Sequence, residues 1–151
     1  MMQGIDKSKS IKSGIYSKGE IDLESIIKVV KENSNIIEAG SIHTFTGIVR
    51  NTSKEGKPVV KMKIDAYDEL ANESISKICN KLKQKKGIID ARIIHLKGEF
   101  ELTEDLVYVV IVSAHREEGF EAIRSAVDMY KKEIAVWKRE DFSDGSSEWV
   151  H

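Results

Sequence analysis

Apolar positions recur along the chain in two rhythms. In the stretch AGSIHTFTGIVRN they alternate: Ile42, Thr44, Thr46 and Ile48 share one face, His43, Phe45 and Val49 the other, which is the period of a strand. VVKMKIDAY resumes the alternation with Val60, Met62, Ile64 and Ala66 inward. IIDARIIHLKGEFEL and DLVYVVIVSA predict two further strands, and the second is apolar at nearly every position, as expected of a strand covered on both faces. The other rhythm is a spacing of three and four. It places Leu23, Ile26, Ile27 and Val30 on one side of a helix that starts behind Asp22 as N-cap and runs to Glu32. Ala71, Ile75, Ile78 and Leu82 predict a second helix over 68–86, with cations in its last turn and Gly87 as its stop. Phe120, Ile123, Val127, Tyr130 and Ile134 predict a third. Residues 10–17 suit a short edge strand, and AVWKRED is a last strand-like piece before the SDGSSEWVH end. ENSN reads as a turn, and TSKEGKP, which holds the only proline, as an exposed connection. Strands and helices alternate, so the fold class is α/β or α+β, with helices packed on a mixed sheet.

Composition narrows the class. A chain of 151 residues suits one domain with a real core, here over 10–151, preceded by loose residues 1–9 that carry nothing to order them. At 40% hydrophobic and 32% charged residues it has the make-up of a soluble globular protein. The net charge of −1 gives no basic surface to advertise nucleic acid. A single cysteine, Cys79, excludes an internal disulfide and makes a cysteine-based metal site untenable; on the second helix's apolar side it reads as core. The longest strongly apolar run, 106–112, falls far short of the ~20 residues a membrane helix needs. The lysine-rich start has no apolar signal region, so the expected compartment is the cytoplasm.

Candidate chemistry begins at VIVSAHREEGF. His115 and Arg116 fall where the most buried-looking strand gives way to a helix, and such places favour ligands, anions above all. The plainer alternative is a solvated Arg116 and a quietly packed His115. Lys131 flanks the third helix's apolar stripe. Lys138 lies by alternation with Val136 and Glu140, away from Trp137 and Arg139. Taken singly, either lysine reads better as a side chain snorkelling from an apolar edge. Arg50 ends the TFTGIVRN strand, whose Gly47 signals a bulge or a close approach. Cations and carboxylates nearly balance from 113 to 140, so these residues act by convergence or not at all. His43 and His95 lack partners at metal-ligand spacing and read as ordinary strand histidines. No glycine-rich phosphate loop, GxSxG elbow or HExxH pair occurs.

Taken together and in order, TFTGIVRN, SAHREEGFEAIRSAVDMYK, VWKRED and the closing DGSSEWV resemble the large, catalytic subunit of molybdopterin synthase. The resemblance runs from about residue 10 to the end. It implies an α/β hammerhead fold with a small additional β subdomain, and a homodimer. Each large subunit would bind a small ubiquitin-like sulfur carrier, giving a heterotetramer. The carrier's C-terminal Gly-Gly thiocarboxylate would enter a pocket and transfer sulfur to cyclic pyranopterin monophosphate, forming the dithiolene of molybdopterin. No metal or other cofactor is implied, since the sulfur arrives on the carrier and molybdenum is inserted later.

By motif, Arg50, His115 and Arg116 would line the substrate's anionic pocket, with Arg116 able to serve the partner's site across the dimer. Lys131 and Lys138 would be the catalytic candidates, and Lys138, Arg139 and Glu140 would form the substrate-binding segment. Ala135 stands where the family often has proline, and the chain stops at His151 where relatives often run further, which bears on carrier affinity. A non-catalytic homologue that docks a ubiquitin-like partner is the alternative. The presence of both lysines disfavours it.

Overall fold

In the computed structural model, which describes residues 11–150, the elements run β1 (Gly14–Ser17), α1 (Leu23–Val30), a 3-10 turn (Ile36–Glu38), β2 (Ser41–Ile48), β3 (Val59–Ala66), α2 (Asp68–Lys83), β4 (Ile88–Glu101), β5 (Asp105–Ser113), α3 (Arg116–Glu133), β6 (Val136–Phe142) and β7 (Ser147–Val150). The expectation of a loose start over 1–9 concerns residues outside this range.

One sheet takes in all seven strands, in the order β2-β5-β4-β3-β6-β7, with β1 beside β4. The β1–β4 pair is parallel and the others are antiparallel, so the sheet is mixed, as expected. β5 is buried at every position after Asp105. Its apolar run is explained by α1 and α3, which both pack on it. α2 covers β4 and β1 and lies against α3. β4 is long enough to serve two neighbourhoods: residues 88–95 pair with β5, while 98–101 pair with β3. The second stretch opens on Gly98 at φ +133°, a backbone conformation that only glycine takes without strain. Beyond that point β3, β6 and β7 form the small β subdomain.

Several helix signals hold. The Asp22 side chain accepts a hydrogen bond from the Ser25 amide at 2.9 Å and caps α1. Gly87 takes φ +81° just beyond α2. Cys79 is core. α1 and α2 end at Val30 and Lys83, short of the expected 32 and 86, because their last residues turn rather than continue helical bonding.

Three expectations are corrected. Val60 is 42% exposed and Val59 is buried instead, since a register shift between Val59 and Lys61 turns the chain over at that point. The buried face of α3 is Gly119, Ala122, Ala126 and Tyr130, whereas Phe120 is 62% exposed. Small residues won over large ones there because the helix lies hard against the sheet: a Cβ on Gly119 would collide with His43 and with the Ser113 hydroxyl. Finally, the SDGSSEWVH end contains a strand, β7.

Candidate active site

A cavity of about 840 Å³ opens where the end of α3 meets the ends of β2 and β6. Its floor is built by sheet register. Gly47 pairs with Val107, and Val107 with His95, so the three share one face. Gly47 fulfils the bulge signal, and what approaches it closely is side chains. The strand shifts register at Gly47/Ile48, and a Cβ there would lie 2.8 Å from Val107 Cγ1 and 3.8 Å from the Tyr130 hydroxyl.

α3 supplies Tyr130 and Lys131 from its last turns, where the negative end of the helix dipole suits a lysine. Ile134, buried, then turns the chain into β6. Alternation along β6 sends Val136, Lys138 and Glu140 into the cavity. Arg50 and residues 52–55 close one side, and Arg50 Nε donates to the Thr52 carbonyl at 3.1 Å. That loop is tied at its base by the Thr52–Pro58 bridge.

The lining is cationic although the chain is not: Arg50, Lys54, Lys131, Lys132 and Lys138 outnumber Glu55, Glu140 and Glu148. Burial pulls the Lys138 ammonium below its ordinary pKa; the charge of Lys131 adds to the effect and Glu140 opposes it. Glu140 is pushed the other way, first by burial and then by Glu148, its cross-strand partner on β7, with Arg50 and Lys138 restraining the rise. His95 is held down to about 4 by burial and then by the Lys138 charge, so its ring is neutral at pH 7. Burial pushes Tyr130 up to about 12, which keeps its hydroxyl protonated. The result is a concave, cationic site with one amine moved toward neutrality, suited to hold anions and transfer a proton.

Arg50, Lys131, Lys138 and Glu140 are therefore brought together. His115, Arg116 and Arg139 are not. His115 begins α3, exposed, with Nδ1 3.3 Å from Glu118. Arg116 follows it, with Nε 3.8 Å from Glu117. Fifteen residues of helix separate Arg116 from Lys131, about 22 Å at the rise of an α-helix. Arg139 points to the other side of β6, where it donates to Asp141 at 2.9 Å and lies 5.8 Å from the Trp149 ring.

An α+β pocket protein of this kind has known relatives. A family model described as MoaE protein matches residues 16–133, and the chain belongs to that family. It is 39% identical over 112 residues to the molybdopterin synthase catalytic subunit of Thermoplasma volcanium, covering 74% of this chain and 81% of the relative. With that of Pyrococcus abyssi it shares 36% identity over 142 residues, covering 94% and 92%. Among solved structures, molybdopterin synthase from Staphylococcus aureus matches with a TM-score of 0.79 at 25% identity, covering 92% of this chain and 96% of that one. A complex of subunits 1 and 2 of molybdopterin-converting factor from Helicobacter pylori matches with a TM-score of 0.66 at 18% identity, covering 93% and 86%, a likeness of fold alone.

Some lining residues carry no site signal in the sequence. Glu148 and Val150 reach the cavity on β7, whose signal was the Asp144-Gly145 turn between two alternating stretches. The TSKEGKP loop supplies Thr52, Ser53, Lys54 and Glu55 to the rim. His95 looked like any strand histidine, and no local pattern distinguishes it.

Proposed function

We propose that this chain is the catalytic subunit of a molybdopterin synthase, an enzyme of molybdenum cofactor biosynthesis acting as a sulfurtransferase. It takes sulfur from the C-terminal thiocarboxylate of a small ubiquitin-like carrier and delivers it to cyclic pyranopterin monophosphate. The observation that carries this is the convergence of Arg50, Lys131, Lys138 and Glu140 in one cavity, from elements far apart in sequence. Membership of the MoaE protein family and the names of the full-length relatives support it. The Helicobacter pylori complex supports a small partner subunit.

The chemistry suits the cavity. A phosphate and a thiocarboxylate are both anions, and bringing them together needs the cationic excess found there. Arg50 offers its guanidinium to the phosphate. Once the thiocarboxylate sulfur is bonded to the pterin, water attacks the acyl carbon, the acyl–sulfur bond breaks, the sulfur stays on the pterin and the carrier leaves as a carboxylate. Lys138, with its pKa lowered by burial and by Lys131, can accept the proton from water or hand one to the departing sulfur. Lys131, exposed in the last turn of α3 and lining the cavity, places its side chain, whose charge also acts on Lys138, where the carrier's tail would enter.

His115 and Arg116 cannot reach the cavity of their own chain. They serve the site of a second copy in a homodimer, so that the working assembly is a heterotetramer of two large subunits and two carriers. Arg139 acts indirectly: it donates to Asp141, which also accepts from the Ser147 hydroxyl on β7, so the pair helps tie β6 to β7. We assign residues 10–151 to one domain; in support, among the described residues a single apolar cluster, with the partly buried side chains packed on it, draws on positions from Ile11 to Val136. Among the described residues no helix is long and apolar enough to cross a membrane, and we place the enzyme in the cytoplasm.

The test is conversion of cyclic pyranopterin monophosphate by the purified chain with thiocarboxylated carrier. Dithiolene product is expected, and none with a carrier ending in an ordinary carboxylate. A chain that binds the carrier without turnover would instead be a docking module.

A further inference from the structure

His95 has 1% of its surface exposed, yet it lines the cavity floor. Its Nδ1 lies 3.1 Å from the Leu96 carbonyl, so the neutral ring carries its proton there and donates it to that oxygen. This leaves Nε2 as a bare acceptor, and Nε2 is buried without a hydrogen-bond partner. A buried acceptor in that state is costly, and a donor is expected to face it. Tyr130 is not that donor: its ring meets His95 edge-on at 5.8 Å, while its hydroxyl lies toward Gly47.

Lys138 fits instead. Among the described residues it is the one whose side-chain charge acts on His95. Its own ammonium has no hydrogen bond or ion pair among them, and a four-carbon stem lets it swing. The other groups facing Lys138 are Lys131 from α3, Lys54 from the 52–58 loop and Glu140 on its own strand, while its register partners Ile64 and Val150 are apolar.

We propose that His95 is a positioning residue for Lys138, accepting a hydrogen bond from its ammonium at Nε2 and holding that nitrogen over the cavity floor. This rests on the function proposed above only for its consequence in catalysis. The contact itself belongs to the free protein. A neutral acceptor holds the lysine without giving it a permanent counter-charge, as a carboxylate would, and so leaves its proton transferable.

Two amides separate this role from a structural one. Glutamine places its amide near the position of Nε2, asparagine near that of Nδ1. The probe is competitive acetylation of the carrier-free protein with acetic anhydride across pH, with Lys138 followed by peptide mass spectrometry. Loss of the acceptor removes a stabiliser of the charged form. In His95→Asn the Lys138 titration therefore falls by about one pH unit, whereas His95→Gln keeps the wild-type curve. Identical titrations in all three proteins, or an asparagine variant that matches wild type while glutamine does not, would overturn the proposal.

A readout that leaves His95 intact guards against misfolded variants. The Nε2 nitrogen resonance of His95 should shift on Lys138→Met, and an unmoved resonance would also overturn it. In single turnover His95→Asn should lose roughly ten-fold in rate with little change in substrate affinity. Absence of turnover in wild type would sink the enzyme assignment and leave the labelling result standing.

Discussion

Lys131 and Lys138 enter the same cavity from different elements, the first from the last turn of α3 and the second from β6. The charge of Lys131 is, after burial, the next cause that lowers the pKa of Lys138. Among the described residues neither lysine makes an ion pair; two lysines so held together lose stability by it, and such a pair suits a place where an anion is to be bound. Glu140 offsets part of the repulsion, and its own carboxyl is raised by burial and by Glu148.

Arg50 sits on the exposed side of this cluster, so its removal should leave the fold intact and weaken substrate. A charge-assisted hydrogen bond to phosphate is worth about 1.5–3 kcal/mol, which sets the expected rise in KM for Arg50→Ala at roughly 10- to 100-fold. kcat should change much less. Steady-state kinetics with saturating carrier checks the split between the two.

Arg116 stands about 22 Å along α3 from Lys131. If it serves a second copy's cavity, two inactive homodimers should rescue each other. Lys131→Ala and Arg116→Ala proteins, mixed and allowed to exchange subunits, are expected to regain activity, because each mixed dimer holds one cavity free of both substitutions. Activity that stays at the sum of the separate homodimers would place Arg116 outside the site.

His95 makes stability depend on acid. Its folded pKa of about 4 lies below the ordinary 6.5, so on acidification the unfolded chain takes up the proton first. The stability it contributes is complete above pH 6.5 and is lost as pH falls toward 4, by about 3 kcal/mol over the whole interval. Thermal melts across that range should show the loss, and His95→Gln should flatten it.

Gly119 tests the packing of α3. Its place against His43 and Ser113 leaves no room for a methyl group. Gly119→Ala is expected to destabilise the protein by about 2 kcal/mol despite the better helix propensity of alanine. Urea denaturation measures it.

How much of this was legible in the sequence depended on how local each cause was. Asp22 as a cap, Gly87 as a stop and the double burial of β5 follow from the chain's own pattern, and all are found. The inward set of Lys138 and Glu140 needed only alternation. Phe120 and Val60 face outward against their local pattern because their neighbours decide: the close approach at Gly119 and the register shift at Val59 are tertiary facts. β7 is announced only by its Asp144-Gly145 turn, since its own four residues are too few to show a period. His95 has no local signal, because its meaning lies in Gly47 and Val107 beside it in the sheet and in Lys138 two strands away.

The most direct test of the cavity as the sulfur-transfer site is single-turnover conversion of cyclic pyranopterin monophosphate by Lys131→Ala, with carrier binding and thermal unfolding measured on the same sample. Lys131 is exposed at a helix end, so the fold and the bound carrier should persist. Without the charge that faces the anionic tail and helps lower the pKa of Lys138, the rate of dithiolene formation should fall by about 10²-fold or more. A variant that keeps the wild-type rate, or one that loses activity only because it unfolds, would contradict the role given to this site.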